Sequence, residues 1–167
     1  IGFEAVLDLT ANKEHKVIAL ARSADKLRKL HEIATSLNYD GGTLYPAQFD
    51  IVNDNYEEAL LPFIKSKFDS VDILINNAGA LINKPFMETS LAEFADSLNS
   101  NFMGHIAMIQ HIAPLMNNGG HIVNISSMGG FQGSAKFAGL SAYSASKAAL
   151  AVLTECLAEE FKEQQIK

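Results

Sequence analysis

The sequence predicts an α/β fold built on a doubly wound parallel sheet, with helices on both faces. Three observations carry that expectation. Helix-period stretches alternate with short apolar runs, and no internal repeat or low-complexity tract interrupts them. Most of the four strand-like runs are rich in Val, Ile and Leu, the composition of parallel strands covered on both sides. The polar and small residues of interest follow these runs directly, where such sheets hold ligands beyond the carboxyl ends of their strands. They are Arg22 after the first run, Asp50 after the second, Asn76 to Gly79 after the third and Ser127 after the fourth.

Phe3 to Asn12 is a short amphipathic stretch with Phe3, Val6 and Leu7 on one side, and Lys13, Glu14 and His15 make a polar connection. Lys16 to Ala21 is a compact apolar strand. Ser23 is placed to cap a helix over Ala24 to Leu37, in which Leu27, Leu30, Ile33, Ala34 and Leu37 recur at helical spacing. Asp40, Gly41 and Gly42 form a turn before a second strand, Thr43 to Phe49. Asp54 and Glu57 stand at capping-box spacing ahead of Ala59, Leu60, Phe63 and Ile64. A third strand, Val71 to Ile75, closes on Asn76-Asn77-Ala78-Gly79. Ser90 and Glu93 form another capping box, opening a long helix to about Met116. His121 to Ile125 is the fourth strand, ending in Ser126-Ser127 and a loop with Gly129, Gly130, Gly133 and Gly139. The last helix starts near Ser141 and turns Ala149, Val152, Leu153, Cys156, Leu157 and Phe161 inward.

The 167 residues suit one domain, 1–167, with a substantial core. Apolar residues make up 48% and prolines number only 4, which excludes a disordered tail. No apolar run approaches the ~18 residues of a membrane span. A net charge of -6 with scattered lysines argues against a nucleic-acid role. The single cysteine, Cys156, excludes an intramolecular disulfide framework and fits a reducing compartment, so a cytoplasmic protein is expected. Cys156 itself reads as a core residue. The 5 histidines show no ligand spacing and no Cys/His cluster exists, so no metal site is expected.

The chemistry concentrates in Tyr143-Ser-Ala-Ser-Lys147. Residues four apart on a helix share a face, and an ammonium beside a phenol favours the phenolate. A tyrosine tuned this way can exchange protons near neutral pH. Ser127 has a hydroxyl to orient a carbonyl oxygen. Taken alone, the pair also fits an ordinary helix start.

In order, Asn76-Asn77-Ala78-Gly79, Asn101 in Asn-Phe-Met-Gly, Asn124-Ile-Ser-Ser127 and Tyr143-Ser-Ala-Ser-Lys147 resemble the short-chain dehydrogenase/reductase family over nearly the whole chain. Ile1-Gly2 looks like the last two residues of its Thr-Gly-x-x-x-Gly-Ile-Gly fingerprint. The resemblance implies a Rossmann-like oxidoreductase that uses a nicotinamide cofactor, with Tyr143 as general acid/base and Ser127 on the substrate oxygen. Lys147 would hold the nicotinamide ribose and tune Tyr143, and Asn101 would hold a water in a proton relay. Gly2, Asn77, Ala78 and Gly79 would border the cofactor, and Asp50 with Ile51 would contact its adenine. The family also implies a homodimer or homotetramer formed through the long helix from Ser90 and the last helix.

NAD-binding sheets of this kind place an acid near the end of the second strand, on the ribose 2'-hydroxyl. The matching strand here ends Leu20-Ala21-Arg22, so Ala21 stands where the acid would be. A guanidinium binds a 2'-phosphate that a carboxylate would repel. NADP(H) is therefore expected over NAD(H), the alternative being that Arg22 is a solvated charge at a helix start.

One departure concerns the serine. Ser127 stands sixteen positions before Tyr143, three more than is usual in the family, and the usual count falls on Gly130. Ser127 is kept because it ends the strand, with Ser126 and Ser134 as alternatives. The added length falls in the loop from Phe131 to Gly139, beside the substrate. The family's first strand and phosphate-binding glycines would precede Ile1, and its substrate-covering segment would follow Lys167. Without that strand, the strands at Lys16 and Val71 are not neighbours and each leaves an open edge. A piece of a longer polypeptide is therefore expected.

The expected function is NADP(H)-dependent interconversion of a small-molecule carbonyl and an alcohol. Its alternatives are an NAD(H)-dependent secondary-alcohol dehydrogenase and, from another class, a non-catalytic NADP-binding sensor or scaffold. The substrate is not legible.

Overall fold

The computed structural model describes residues 1–37 and 41–167. Asp40, the first residue of the expected turn, lies outside the described residues. The chain forms two compact units, Ile1–Ile64 and Lys65–Lys167.

The first unit runs α1 (Gly2–Thr10), β1 (Lys16–Ala21), α2 (Ala24–Leu37) and β2 (Thr43–Gln48), then a π-helical turn (Tyr56–Leu60) leading into α3 (Leu61–Lys65). β1 and β2 pair in parallel from Lys16–Thr43 to Ala21–Gln48. Pro46 faces Ala19 across this pair; lacking an N–H, proline suits a strand at the edge of a sheet. Leu27, Leu30 and Ala34 of α2 pack on Ala19 and Leu44, with Phe3, Val6 and Leu7 of α1 against the same cluster. Burying one such leucine is worth about 1.5–3 kcal/mol. Ser23 caps α2 as expected, its Oγ accepting the Lys26 N–H at 3.3 Å.

The next cap is one residue later than the sequence pattern indicates. Asn55, not Asp54, accepts the N–H groups of Glu57 (3.0 Å) and Glu58 (3.2 Å). The Asp54 carboxylate turns back to accept the Asp50 N–H at 2.7 Å, closing the loop after β2. Tyr56 is anchored there by its hydroxyl, which donates to Ile51 O at 2.7 Å, and by an edge-on contact with Phe49.

The second unit runs β3 (Val71–Asn76), α4 (Leu91–Leu98), a π-helical turn (Asn99–Met103), α5 (Gly104–Ile112), β4 (Met116–Asn124) and α6 (Ser141–Glu160). β3 and β4 pair in parallel up to Asn76–Asn124, with an irregularity between Val71 and Ile73. Among the described residues, β1 with β2 and β3 with β4 are each a two-stranded sheet. Ser90 and Glu93 make the expected reciprocal capping box. The single long helix expected after it is instead broken by the π-turn. β4 begins at Met116, earlier than expected, and residues 117–120 bulge from the ladder, with Gly119 at φ +89°, before regular pairing resumes at His121. Beside β4, Lys167 donates its N–H to Gly120 O (2.9 Å) and accepts from Ile122 N (2.7 Å).

The buried face of α6 also differs. Ala142, Ser146, Lys147 and Leu150 are buried, while Val152 is 60% exposed and Cys156 lies on the surface, so Cys156 is not a core residue. Small residues let the first half of α6 approach its neighbours closely. A Cβ at Gly130 would stand 2.7 Å from Lys147 C and from Ala148 N. No helix among the described residues is long and apolar enough to cross a membrane.

Candidate active site

The second unit gathers Asn101, His105 and Lys147 around the turn that follows β3. Asn101, fully buried in the π-turn, clasps this turn from both sides. Its Oδ1 accepts the Ala80 N–H at 2.8 Å and its Nδ2 donates to Ala80 O at 2.9 Å. Nδ2 also lies 3.1 Å from Ser146 Oγ and 3.3 Å from Ser97 Oγ, both buried. A π-turn inserts one residue into a helical turn and often marks a functional position.

One turn later, His105 is 1% exposed and its Nε2 lies 2.7 Å from Ala78 O. A carbonyl only accepts, so Nε2 carries the proton and Nδ1 offers a lone pair. That Nδ1 is buried without a hydrogen-bond partner among the described residues. Burial holds His105 below the usual histidine value; the Ala78 carbonyl opposes the shift and the Lys147 charge adds to it.

Lys147 is 3% exposed and donates from Nζ to Ile125 O at 2.7 Å. Burial lowers its pKa below the usual lysine value. Gly79 lies under these groups: a Cβ there would stand 2.6 Å from Asn101 Oδ1 and 3.7 Å from Lys147 Nζ. Only glycine fits there, because the Asn101 side chain already fills the place of a Cβ. The ends of β3 and β4 are tied by Asn76 Nδ2 to Asn124 Oδ1, and Asn124 Nδ2 continues to Thr154 of α6, both at 2.9 Å.

Ser127 follows β4 and accepts the Gly129 N–H at 3.2 Å. Its hydroxyl proton has no acceptor among the described residues. The alternatives are committed: Ser126 Oγ donates to Lys147 O at 2.9 Å, and Ser134 Oγ bonds the carbonyls of Met128 and Phe131. Tyr143 sits half-buried in the first turn of α6, and its hydroxyl has no partner among the described residues. Lys147 lies four residues further along the same helix.

Gly2, Arg22, Asp50 and Ile51 belong to the first unit. Gly2 opens α1. Arg22 and Asp50 lie just beyond the paired ends of β1 and β2, where Phe49 N donates to Ala21 O (3.0 Å) and Gln48 Nε2 to Arg22 O (2.9 Å). The Asp50 carboxyl is held below the usual carboxylate range chiefly by the Val52 N–H; burial opposes this, and Asn53 and the Arg22 charge add to the lowering. The Arg22 side chain is exposed.

Sequence reasoning missed the clasp partners Ser97, His105 and Ser146. A signal was present: Ser97, Asn101 and His105 recur every four residues, a polar row on one helical face.

The short chain dehydrogenase family profile matches residues 1–167. The NADP-dependent 3-hydroxy acid dehydrogenase YdfG of Escherichia coli is 35% identical over 137 residues, which cover 80% of this chain and 52% of that protein. The ketoacyl reductase HetN of Nostoc is 32% identical over 152 residues, covering 90% of this chain and 51% of that protein. A solved 7α-hydroxysteroid dehydrogenase, complexed with NADH and 7-oxo glycochenodeoxycholic acid, shares the fold at a TM-score of 0.85 and 29% identity, covering 100% of this chain and 64% of that one. The chain thus spans about half the length of these two curated relatives. The doubly wound α/β class expected from the sequence is the class of this structural neighbour. Matched from its first residue to its last, the chain belongs to the short-chain dehydrogenase family.

Proposed function

We propose that this chain carries the catalytic core of an NADP(H)-dependent oxidoreductase that interconverts a ketone or aldehyde with an alcohol. The observation that carries this reading is the contrast among the site's hydroxyls. Ser126, Ser134 and Ser146 are spent on protein partners, whereas Ser127 and Tyr143 keep O–H groups with no acceptor among the described residues. Ser127 donates to the substrate oxygen. Tyr143 gives that oxygen its proton in reduction and takes it back in oxidation. Lys147, one helical turn away, supplies a positive charge that favours proton loss from the phenol.

The absence of a side chain at Gly79 lets Asn101 and the Lys147 ammonium close on the turn after β3, which fits a cofactor laid along that turn. When bound, the nicotinamide supplies or accepts the hydride. Lys147 has two N–H donors beyond its bond to Ile125 for the ribose hydroxyls. Asn77, Ala78 and Gly79 border the adenosine side, Gly2 the phosphates, and Asp50 and Ile51 the adenine. The Asn101 side chain is committed to the clasp, so it is the π-turn backbone that holds a relay water. Arg22 reads the 2'-phosphate, in line with the NADP dependence named for YdfG. The NADH bound by the hydroxysteroid dehydrogenase keeps NAD(H) as the competing cofactor. Exposed Leu91, Met103 and Val152 on α4, the π-turn and α6 suit a homodimer or homotetramer, which light scattering would count.

The test is turnover of a ketone and aldehyde panel with NADPH and NADH, alongside Arg22→Ala. That variant should weaken NADPH about 10- to 100-fold, the scale of a hydrogen-bonded charge pair, and leave NADH unchanged. Equal affinities in wild type and variant would overturn the cofactor assignment. Tight NADPH binding with no turnover of any carbonyl would favour a sensor.

A further inference from the structure

We propose that the cavity beside the start of α6 takes a substrate with a carboxylate on an apolar body, and that Lys136 reads the carboxylate. That the occupant is a substrate rests on the function proposed above; that it binds does not. The cavity has a volume of about 490 Å³, within the range of small-molecule sites. Phe86, Phe137 and Leu140 supply apolar wall, and Ser144, next to Tyr143 in sequence, lines it from α6. Phe86 and Phe137 are 65% and 64% exposed, so a bound apolar group has aromatic surface to cover. Phe86 is braced edge-on by Phe94.

Lys136 is the one charged residue lining this cavity. Its Nζ donates to Phe131 O and, at 2.8 Å, to Ser134 Oγ, which leaves one of its three N–H groups free. No carboxylate pairs with it among the described residues. Lys84, by contrast, is neutralised by Glu93 at 3.0 Å. Lys136 is exposed, so an anion bound to it would sit at the rim of the cavity. Ser141 lines the same cavity, though its Oγ is buried beneath the surface, without a partner among the described residues. A single ammonium without a cradle of backbone N–H groups suits a monoanionic carboxylate better than a phosphate. Lys136 and Phe137 both sit in the loop that carries three residues more than the family's usual spacing, so the extra length supplies both the charge and part of the apolar wall.

Titration calorimetry with 4-oxo-4-phenylbutanoate and its uncharged amide, on wild type, Lys136→Met and Lys136→Arg, tests the assignment. Wild type should bind the acid at least 5-fold more tightly than the amide, and 0.5 M NaCl should shrink the difference. Lys136→Met should weaken the acid alone and erase the preference, and Lys136→Arg should retain it. Equal binding of the two compounds, an unchanged ratio in Lys136→Met, or no binding of either overturns the proposal. Reduction of the same ketones with NADPH separates the two readings. An acid bound selectively but never reduced removes the proposed activity and leaves the site. Equal reduction of acid and amide, with no binding preference, removes the site and leaves the activity.

Discussion

The two units treat their polar residues in opposite ways. In the first, Arg22 stands exposed beyond its strand, and Asp50 is held by its own loop. The interior beneath them is plain aliphatic packing of α1 and α2 on two strands. In the second, Ser97, Asn101, His105, Ser146 and Lys147 are all buried. Buried polar groups are tolerable only when they are hydrogen-bonded, and the clasp on the turn after β3 meets most of that demand. The contrast separates two jobs. Groups that must hold still are built into the interior, where removing one costs stability; a group that reads a charged ligand can sit outside, where it costs none.

Substitutions sharpen or break this contrast. The largest effect is expected for Asn101→Ala, which strands both backbone groups of Ala80 and leaves Ser97 and Ser146 without their amide. It should cost about 2–4 kcal/mol in urea unfolding. A cost under about 1 kcal/mol would show that the clasp does not organise the unit.

His105→Leu comes next, at about 1–2 kcal/mol near pH 8, for the lost bond to Ala78. It carries a pH signature as well. The unfolded chain protonates this imidazole near the ordinary value of 6.5, and the folded chain only at lower pH. The unfolded state therefore binds more protons in that window, so stability is full above 6.5 and is lost as pH falls below it. Urea midpoints between pH 8 and pH 5 should show this component of the slope in wild type and not in the variant.

Ser90→Ala removes a surface cap and should cost about 1 kcal/mol. Arg22→Ala should change stability by less than about 0.5 kcal/mol while changing cofactor affinity. If Arg22→Ala destabilised the chain as much as Asn101→Ala, the division between the units would fail.

The same contrast explains what was legible in the sequence. β1 and α2 occur at the residues where they were expected, because an apolar period and the Ser23 cap are local signals. The second capping box was equally plain. The cap at Asn55 was misplaced by one residue because Asp54 has the right chemistry and a different partner. The π-turn was illegible, since nothing local distinguishes its residues from an α-helix; the clasp on Ala80 accompanies it in space. The buried face of α6 was misread for a related reason. Its apolar residues in the second half drew attention, while the first half buries Ser146 and Lys147 against other elements. The family was legible from its motifs taken as a set. The place of Gly130, where no side chain fits against α6, could be seen only in three dimensions.

In the proposed reaction the Tyr143 phenol is free to exchange a proton while Asn101, His105 and Lys147 are held around the turn after β3. Single-turnover oxidation of NADPH in the presence of a reducible ketone, compared between wild type and Tyr143→Phe, addresses it most directly. The variant should lose about 10²- to 10⁴-fold in rate while binding NADPH within about twofold of wild type and unfolding at the same urea concentration, because that hydroxyl has no partner among the described residues. A Tyr143→Phe protein that reduces the ketone within tenfold of the wild-type rate would contradict the account.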